Sequence, residues 1–164
     1  MKVDYGVRAL VELALHHGNG PVQTAEIAYK QAIPEAYLDQ LMTTLHKCGF
    51  VISRRGPQGG HRLAMDPQDI NLHMVMTTLD GSISPMDCLI HPNDCTFSES
   101  CAQQEVWQSV EDAVHEVLRN ITLSDLAQRQ RYLAGRQSPT IKASTLRSRI
   151  RLAPDPRAKA QSTA

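Results

Sequence analysis

Three short amphipathic segments follow one another within the first 47 residues, and their spacing constrains the fold more than any other feature of the sequence. Apolar side chains recur at helical spacing over residues 3–17, about 24–31 and 34–47. A Gly-Asn-Gly-Pro run ends the first segment, and only residues 32–33 separate the second from the third. The sequence therefore predicts three helices, of which the second and third are joined by a tight turn.

An extended pattern follows the third helix. Residues 50–52 are β-prone, residues 55–60 form a glycine-rich turn, and residues 61–64 can return as a second strand. Two short helices across a tight turn, followed by a β-hairpin, form the layout of a winged helix-turn-helix. In that layout the second helix of the pair enters the DNA major groove, and we expect the hairpin to reach the backbone or the minor groove beside it.

The second half of the chain predicts further helices around an irregular loop. Residues 70–79 indicate a fourth helix, and residues 104–121 a long one. The long helix has two apolar rows: Val106, Val110, Ala113 and Val117 in one, and Trp107, Val114, Leu118 and Ile121 in the other. We interpret one row as packing on its own subunit and the other as meeting a symmetry mate, although a helix enclosed in a single core gives the same pattern.

The sequence thus predicts a mainly α fold with one small β-hairpin, divided into four segments. These are a winged helix-turn-helix domain over 1–81, a cysteine-bearing loop with little regular structure over 82–103, a dimerisation helix and terminal helix over 104–134, and a disordered tail over 135–164. The tail carries seven basic residues and one acidic residue, whereas the whole chain has a formal net charge of zero. The neutral total by itself indicates no partner.

The amino-terminal residues and the lack of a long apolar run predict a cytoplasmic protein with no membrane segment. No catalytic pairing of side chains is visible, so we do not expect an enzyme. In a reducing compartment, cysteines are thiols or metal ligands rather than a disulfide framework. Cys88, Cys95 and Cys101 follow the spacing Cys-x6-Cys-x5-Cys, wider than the Cys-x2-4-Cys pairs of structural zinc. This spacing favours an iron-sulfur cluster over one tetrahedral ion, with zinc and unligated thiols as the alternatives.

Several of these features occur together, and in the same order, in one known family. They are the segment 5–15, the stretch 37–41, the wing at 55–60, the cysteine triplet, and Asn-Ile-Thr-Leu at 120–123. Over about residues 1–134 the chain resembles the winged-helix iron-sulfur cluster regulators, the family of IscR and NsrR. The resemblance implies a homodimeric transcription factor that binds double-stranded DNA at a palindromic operator. It also implies that a 2Fe-2S or 4Fe-4S cluster, sensing nitric oxide, redox, iron or cluster status, controls its affinity.

Such a cluster normally needs four ligands, and the loop offers three cysteines. In one branch of the family the fourth ligand is a His three residues after the third cysteine, where this chain has Gln104. In the NsrR-type branch it is an Asp near the start of the first helix, supplied by the other subunit, and Asp4 matches that position. A simple helix-end charge is the alternative interpretation of Asp4. His91, inside the loop, is the next candidate ligand.

Candidate DNA contacts lie on the third helix. Gln40 can offer a bidentate amide to adenine, and Thr43 and Thr44 can reach bases or phosphates. The resemblance implies that Asp39 tunes site preference, and its carboxylate could accept from cytosine N4. An exposed polar helix face without a partner is the alternative for each residue.

The wing adds two arginines, Arg54 and Arg55, and the resemblance implies that Arg55 enters the minor groove. Two other functions remain to be compared with this one. A regulator of the same fold could use free thiols or zinc. A small iron-sulfur redox protein has little support, because the sequence has no Cys-x-x-Cys and no nucleotide-binding fingerprint.

Overall fold

The structure is a computed structural model that describes residues 2–56, 58–81, 83–97 and 100–135. Within these residues the elements are α1 (Lys2–Leu15), α2 (Thr24–Gln31), α3 (Glu35–Lys47), β1 (Val51–Arg54), β2 (Gly60–Leu63), α4 (Leu72–Asp80), α5 (Asp87–Ile90), a 3-10 turn (Pro92–Asp94), α6 (Ala102–Arg119) and α7 (Leu123–Gly135). The prediction of a mainly α fold with one β-hairpin is therefore confirmed. The predicted disordered tail lies, beyond Gly135, outside the described residues.

Helix α1 is the centre of the fold and packs against α2, α3, α4, α7 and β2. A Cβ atom at Gly6 would overlap the side chain of Leu79 on α4, so the lack of a side chain at residue 6 lets the two helices approach closely. Apolar side chains from these elements form one core: Leu10, Leu13, Ile27, Leu38, Met42, Leu45, Val51, Ile70, Val75 and Leu123. The core fixes how α2 and α3 are presented on the surface.

The turn between α2 and α3 is as short as the sequence predicts. Ala32 adopts the left-handed conformation with φ of 52°, and the Ile33 N–H donates to the Ala28 carbonyl at 3.0 Å. The third helix was predicted to start at residue 34, but Pro34 is its N-cap and α3 begins at Glu35. The extended ψ of 125° at Pro34 explains the shift by one residue.

The hairpin packs against both ends of the helix-turn-helix. Val51 pairs with Leu63 in the antiparallel ladder, and β1 packs against α3. Gly60 has φ of 145°, and a Cβ there would lie 2.5 Å from the Val22 carbonyl oxygen, which only glycine avoids. The wing is therefore pressed closely against the segment that leads into α2.

Helix α6 contacts the rest of the chain through α4 and α5, and none of its residues is fully buried. Its end is tied to the start of α4, because the Leu72 N–H donates to the Ile121 carbonyl at 2.9 Å. Further along, the imidazole rings of His73 and His115 meet edge to face, with centroids 4.8 Å apart. Burial, with Arg119 and His115 adding to it, lowers the pKa of His73.

The carboxy-terminal half departs from the sequence expectations in two details. The loop over 82–103 was expected to have little regular structure, yet it contains α5 and the 3-10 turn. Helix α7 was grouped with α6, but it packs against α1 and buries Leu123 and Ala127 in the main core. A helix as short as α5 or the 3-10 turn depends on tertiary contacts rather than on strong periodicity, which explains why the sequence pattern did not reveal these two elements.

Candidate nucleic-acid interface and cysteine loop

Helix α3 presents a polar face to solvent. Asp39, Gln40 and Thr43 are exposed and Thr44 is half-buried, while the apolar side chains of the same helix face the core. The Thr43 hydroxyl donates to the Asp39 carbonyl at 2.9 Å, and the Thr44 hydroxyl to the Gln40 carbonyl at 3.2 Å. Both hydroxyls therefore have only acceptor lone pairs free, whereas the Gln40 amide can both donate and accept.

The wing arginines flank the other side of this face. Arg54 ends β1 and Arg55 begins the turn, and both side chains are exposed. His46 near the end of α3 makes a 2.9 Å contact from its Nδ1 to the Val51 carbonyl, which fixes β1 against α3. The predicted DNA contacts on the helix and on the wing are thus carried by elements that pack directly against each other.

A hydrogen-bonded triad that the sequence did not suggest joins the wing to α2. His61 on β2 pairs through its backbone with Val22, at 2.7 and 2.8 Å. Its ring nitrogens contact two hydroxyls, with Nε2 3.0 Å from Thr24 Oγ1 and Nδ1 2.9 Å from Ser53 Oγ. Burial lowers the pKa of the His61 imidazole, Asp39 opposes this, and His46 adds to it.

A buried carboxylate ties α2 to α1. Glu12 is only 3% exposed, and the Gln31 amide donates to its Oε2 at 2.7 Å while Lys30 Nζ lies 3.2 Å from its Oε1. Lys30 also donates to Glu26 at 2.7 Å, and this bond lowers the pKa of Glu26 and raises that of Lys30. An acidic residue among the apolar positions of α1 was the only sequence signal for this network.

The three cysteines of the triplet lie around α5 and the start of α6. Cys88 is in α5, Cys95 follows the 3-10 turn, and Cys101 caps the amino terminus of α6. All three are free thiols and half-buried. Among the described residues, no three His, Cys, Asp or Glu side chains are arranged so that they could hold a metal ion. The chain therefore brings the thiols to one loop but does not bring them to one point.

The two other candidate ligands are engaged elsewhere or exposed. Asp4 forms a two-pronged ion pair with Arg8, with Oδ1 3.2 Å from Nε and Oδ2 3.0 Å from Nη2. His91 is exposed at the end of α5. Gln104 is half-buried in the first turn of α6. The fourth cysteine, Cys48, is exposed at the end of α3.

One face of α6 carries apolar side chains without cover. Val106, Val110 and Val114 are 61%, 40% and 37% exposed, whereas Trp107 and Leu118 are half-buried towards α4 and α5. Val114, which the sequence places in the row of Trp107, is exposed like Val106 and Val110. Because Val106, Val110 and Val114 are spaced by four, they form one continuous stripe along the helix.

Comparison with known proteins shows which family has this arrangement. Residues 1–129 match the sequence family Rrf2, described as iron-dependent transcriptional regulators. The chain belongs to the Rrf2 family. It is 37% identical over 147 residues to the HTH-type transcriptional regulator IscR of Photobacterium profundum, a match that spans 88% of this chain and 84% of that protein. IscR of Vibrio cholerae is 37% identical over 122 residues, or 74% of this chain and 70% of that one.

Solved structures of Rrf2 relatives have the same winged-helix fold. CymR of B. subtilis, described as the global cysteine regulator, superposes with a TM-score of 0.70 at 37% identity, covering 79% of this chain and 95% of that one. T. potens IscR superposes with a TM-score of 0.66 at 34% identity, covering 88% and 93%. This Rrf2 protein is therefore a DNA-binding transcriptional regulator rather than an enzyme, as the sequence predicts. Within the described residues, no helix has the length and apolar character needed to cross a membrane.

Proposed function

We propose that this Rrf2 protein is a cytoplasmic homodimer whose affinity for a palindromic operator is controlled by an iron-sulfur cluster held by Cys88, Cys95 and Cys101. One observation carries the proposal: three free, half-buried thiols lie on the loop that joins the winged helix to α6. Two relatives named IscR share more than a third of their residues with this chain over most of its length. A ligand bound at that loop is well placed to influence both the DNA-binding domain and α6.

The donor chemistry fits an iron-sulfur cluster. Thiolates are the usual ligands of 2Fe-2S and 4Fe-4S clusters, and the spacing Cys-x6-Cys-x5-Cys leaves room for one. The loop has to close for the three sulfurs to converge, because they do not share a metal-binding arrangement as they lie here. When bound, the cluster supplies a redox-active inorganic group that joins α5, the 3-10 turn and the start of α6.

For the DNA face, we propose that α3 enters the major groove with Asp39, Gln40, Thr43 and Thr44 facing the bases and phosphates. Its exposed polar face and its rigid link to the wing support this proposal. In a two-fold dimer the two copies of α3 would meet half-sites about one helical turn, roughly 34 to 36 Å, apart. Footprinting of the anaerobic protein on its own promoter tests the proposal, and a footprint without two-fold symmetry would contradict it.

The wing supplies the clearest single prediction for DNA affinity. We expect Arg55→Ala to weaken operator binding by about 1 to 3 kcal/mol, or roughly 5- to 150-fold, because a specific arginine contact to a groove is lost. Fluorescence anisotropy with a labelled promoter duplex at fixed salt measures the change. Arg131→Ala is the matched control, since this exposed arginine lies on α7, with its Nη2 2.8 Å from the Leu15 carbonyl. If the Arg55 variant bound the operator as tightly as the wild type, the wing would not be part of the DNA interface.

Asp4 is proposed as the fourth ligand, supplied by the partner subunit. To act as one, its carboxylate must leave the Arg8 guanidinium, which also lies 3.5 Å from the Gln31 carbonyl at the end of α2 and 5.9 Å from the Tyr5 ring. Tyr5 in turn contacts Tyr37 of α3, with centroids 5.5 Å apart. Releasing Arg8 would therefore alter contacts that reach the helix-turn-helix.

Replacing Asp4 by alanine is expected to change the visible absorption and shorten the lifetime of the anaerobic cluster, while the protein stays folded. The lost Asp4–Arg8 pair is exposed, so its effect on unfolding is at most about 1 kcal/mol. Glu26→Ala is the control, because it removes the acidic member of another exposed pair spaced by four residues. An Asp4 variant with the wild-type spectrum and cluster lifetime would exclude this residue as a ligand.

A second candidate keeps the same DNA face but uses the thiols directly, or binds zinc. It is favoured by the likeness to CymR and by the lack of a converged ligand set among the described residues. CymR of Staphylococcus aureus, 31% identical, has also been solved in an oxidized form. Iron and acid-labile sulfide in anaerobically purified protein would rule out this candidate, and their absence after reconstitution would favour it.

A further inference from the structure

We propose that His61 is a proton-linked positioning residue for DNA binding: its imidazolium form donates to both Thr24 and Ser53 and thereby frees both hydroxyl protons for phosphate oxygens. The inference rests on the proposed DNA face. His61 does not need to touch DNA, since it acts through the two hydroxyls that flank it.

The position of His61 supports this role. Its backbone is bonded in both directions to Val22, two residues before α2, and its side chain reaches the first residue of α2 and the facing residue of β1. One residue thus connects the wing to the start of the helix-turn-helix. Ser53 is exposed and Thr24 is half-buried, so a sugar-phosphate backbone lying between the wing and α2 can reach both hydroxyls.

The chemistry of the ring distinguishes its two protonation states. A neutral imidazole has one N–H and one bare nitrogen, so one of the two hydroxyls has to donate its proton to the ring. That hydroxyl then presents only lone pairs to its surroundings, which a phosphate oxygen repels. The imidazolium donates from both nitrogens, so both hydroxyls accept from the ring and both can donate outwards.

The surroundings keep the ring neutral in the free protein and allow it to be charged in the complex. Burial lowers the pKa of His61 from its ordinary value of 6.5, with Asp39 opposing and His46 adding to the shift. Both of these titratable groups are on α3, and the ring contacts neutral hydroxyls on α2 and β1. The negative phosphates of a bound duplex favour the imidazolium cation and raise the pKa of His61. At pH values above the pKa of the free protein, DNA binding is therefore accompanied by the uptake of a proton.

The inference predicts a pH-dependent affinity. For one linked proton the association constant can change by at most tenfold per pH unit, so we expect operator binding to strengthen by about 3- to 10-fold between pH 7.5 and 6.0. The His61→Gln variant keeps one donor and one acceptor but cannot be charged. Whatever its affinity at pH 7.5, this variant is expected to lack most of the increase in operator affinity between pH 7.5 and 6.0.

The measurement uses the full-length protein in one cluster state, checked by absorbance at each pH, and a duplex from its own promoter at constant salt. His17→Gln is the control, because it removes an exposed histidine that follows α1, and it should retain the pH dependence. The Thr24→Val variant, which keeps His61, should show a smaller increase in operator affinity at pH 6.0. An unchanged pH dependence in the His61 variant would overturn the inference.

A direct titration measures the protonation of His61 in the wild-type protein. The His61 C2–H resonance, assigned by its loss in the His61→Gln protein, is followed by NMR with and without the duplex. We expect the pKa to rise on binding, and an unchanged pKa would also overturn the inference. Failure of the proposed DNA face looks different, because Arg55→Ala would then leave affinity unchanged at every pH.

Discussion

Replacing Cys101 by serine is expected to abolish the visible absorption of the anaerobically purified protein and to reduce bound iron and acid-labile sulfide to background. Cys101 is the residue before α6 and the last of the three thiols on the loop. A serine hydroxyl is a much poorer ligand for iron than a thiolate, so a cluster already short of cysteine ligands is lost. The same result is expected for Cys88→Ser and Cys95→Ser.

The loss of the cluster is also expected to change operator affinity by about 5- to 150-fold, the usual range for a coupling of 1 to 3 kcal/mol between two sites. Anisotropy with the promoter duplex, run under anaerobic conditions on wild-type and variant protein, measures the change. Cys48→Ser is the matched control, because this exposed thiol lies at the end of α3, outside the loop. Iron-free Cys101→Ser protein with the operator affinity of the cluster-loaded wild type would contradict the proposed control by a cluster.

Introducing a charge on the exposed stripe of α6 is expected to separate the dimer. Val110 lies in the middle of the stripe, between Val106 and Val114, and is 40% exposed in the single chain. In a two-fold interface Val110→Glu would place two like charges close together in an apolar contact. The cost of burying unpaired charges is several kcal/mol, so we expect the dimer dissociation constant to rise by about 100-fold or more.

Sedimentation velocity across a range of protein concentrations measures this constant. Gln108→Glu is the matched control, since it adds the same charge to an exposed residue on the opposite side of the same helix. Operator affinity is expected to fall with the dimer, because one subunit alone reads only one half-site. If the Val110 variant had the same dimer dissociation constant as the wild type, the stripe would not be the interface.

Local patterns were sufficient to predict most elements of the DNA-binding domain. The bounds of α2 agree with the prediction to the residue, and the connection at residues 32–33 is as tight as expected. The glycine-rich hairpin was also placed correctly. These features depend on residues close together in sequence, whose conformational preferences act within one or two turns of the chain.

Long-range contacts were beyond the reach of the same reasoning. The half-buried position of Cys101 depends on how the loop packs, and cysteine spacing alone does not encode it. The pairing of Asp4 with Arg8, by contrast, joins residues four apart on α1 and is predictable from spacing. The short helix α5 was missed because four residues have too little periodicity to detect.

Helical periodicity, turn residues and cysteine spacing are local properties, so they were enough to predict a winged helix-turn-helix followed by a loop with three thiols. Which side chains meet depends on the tertiary structure. His61 reaches Thr24 across 37 residues, and Glu12 reaches Gln31 across 19. It also decided that the valine stripe of α6 stays exposed. Burial and hydrogen bonding between distant residues depend on how the elements pack, and packing is a property of the whole core.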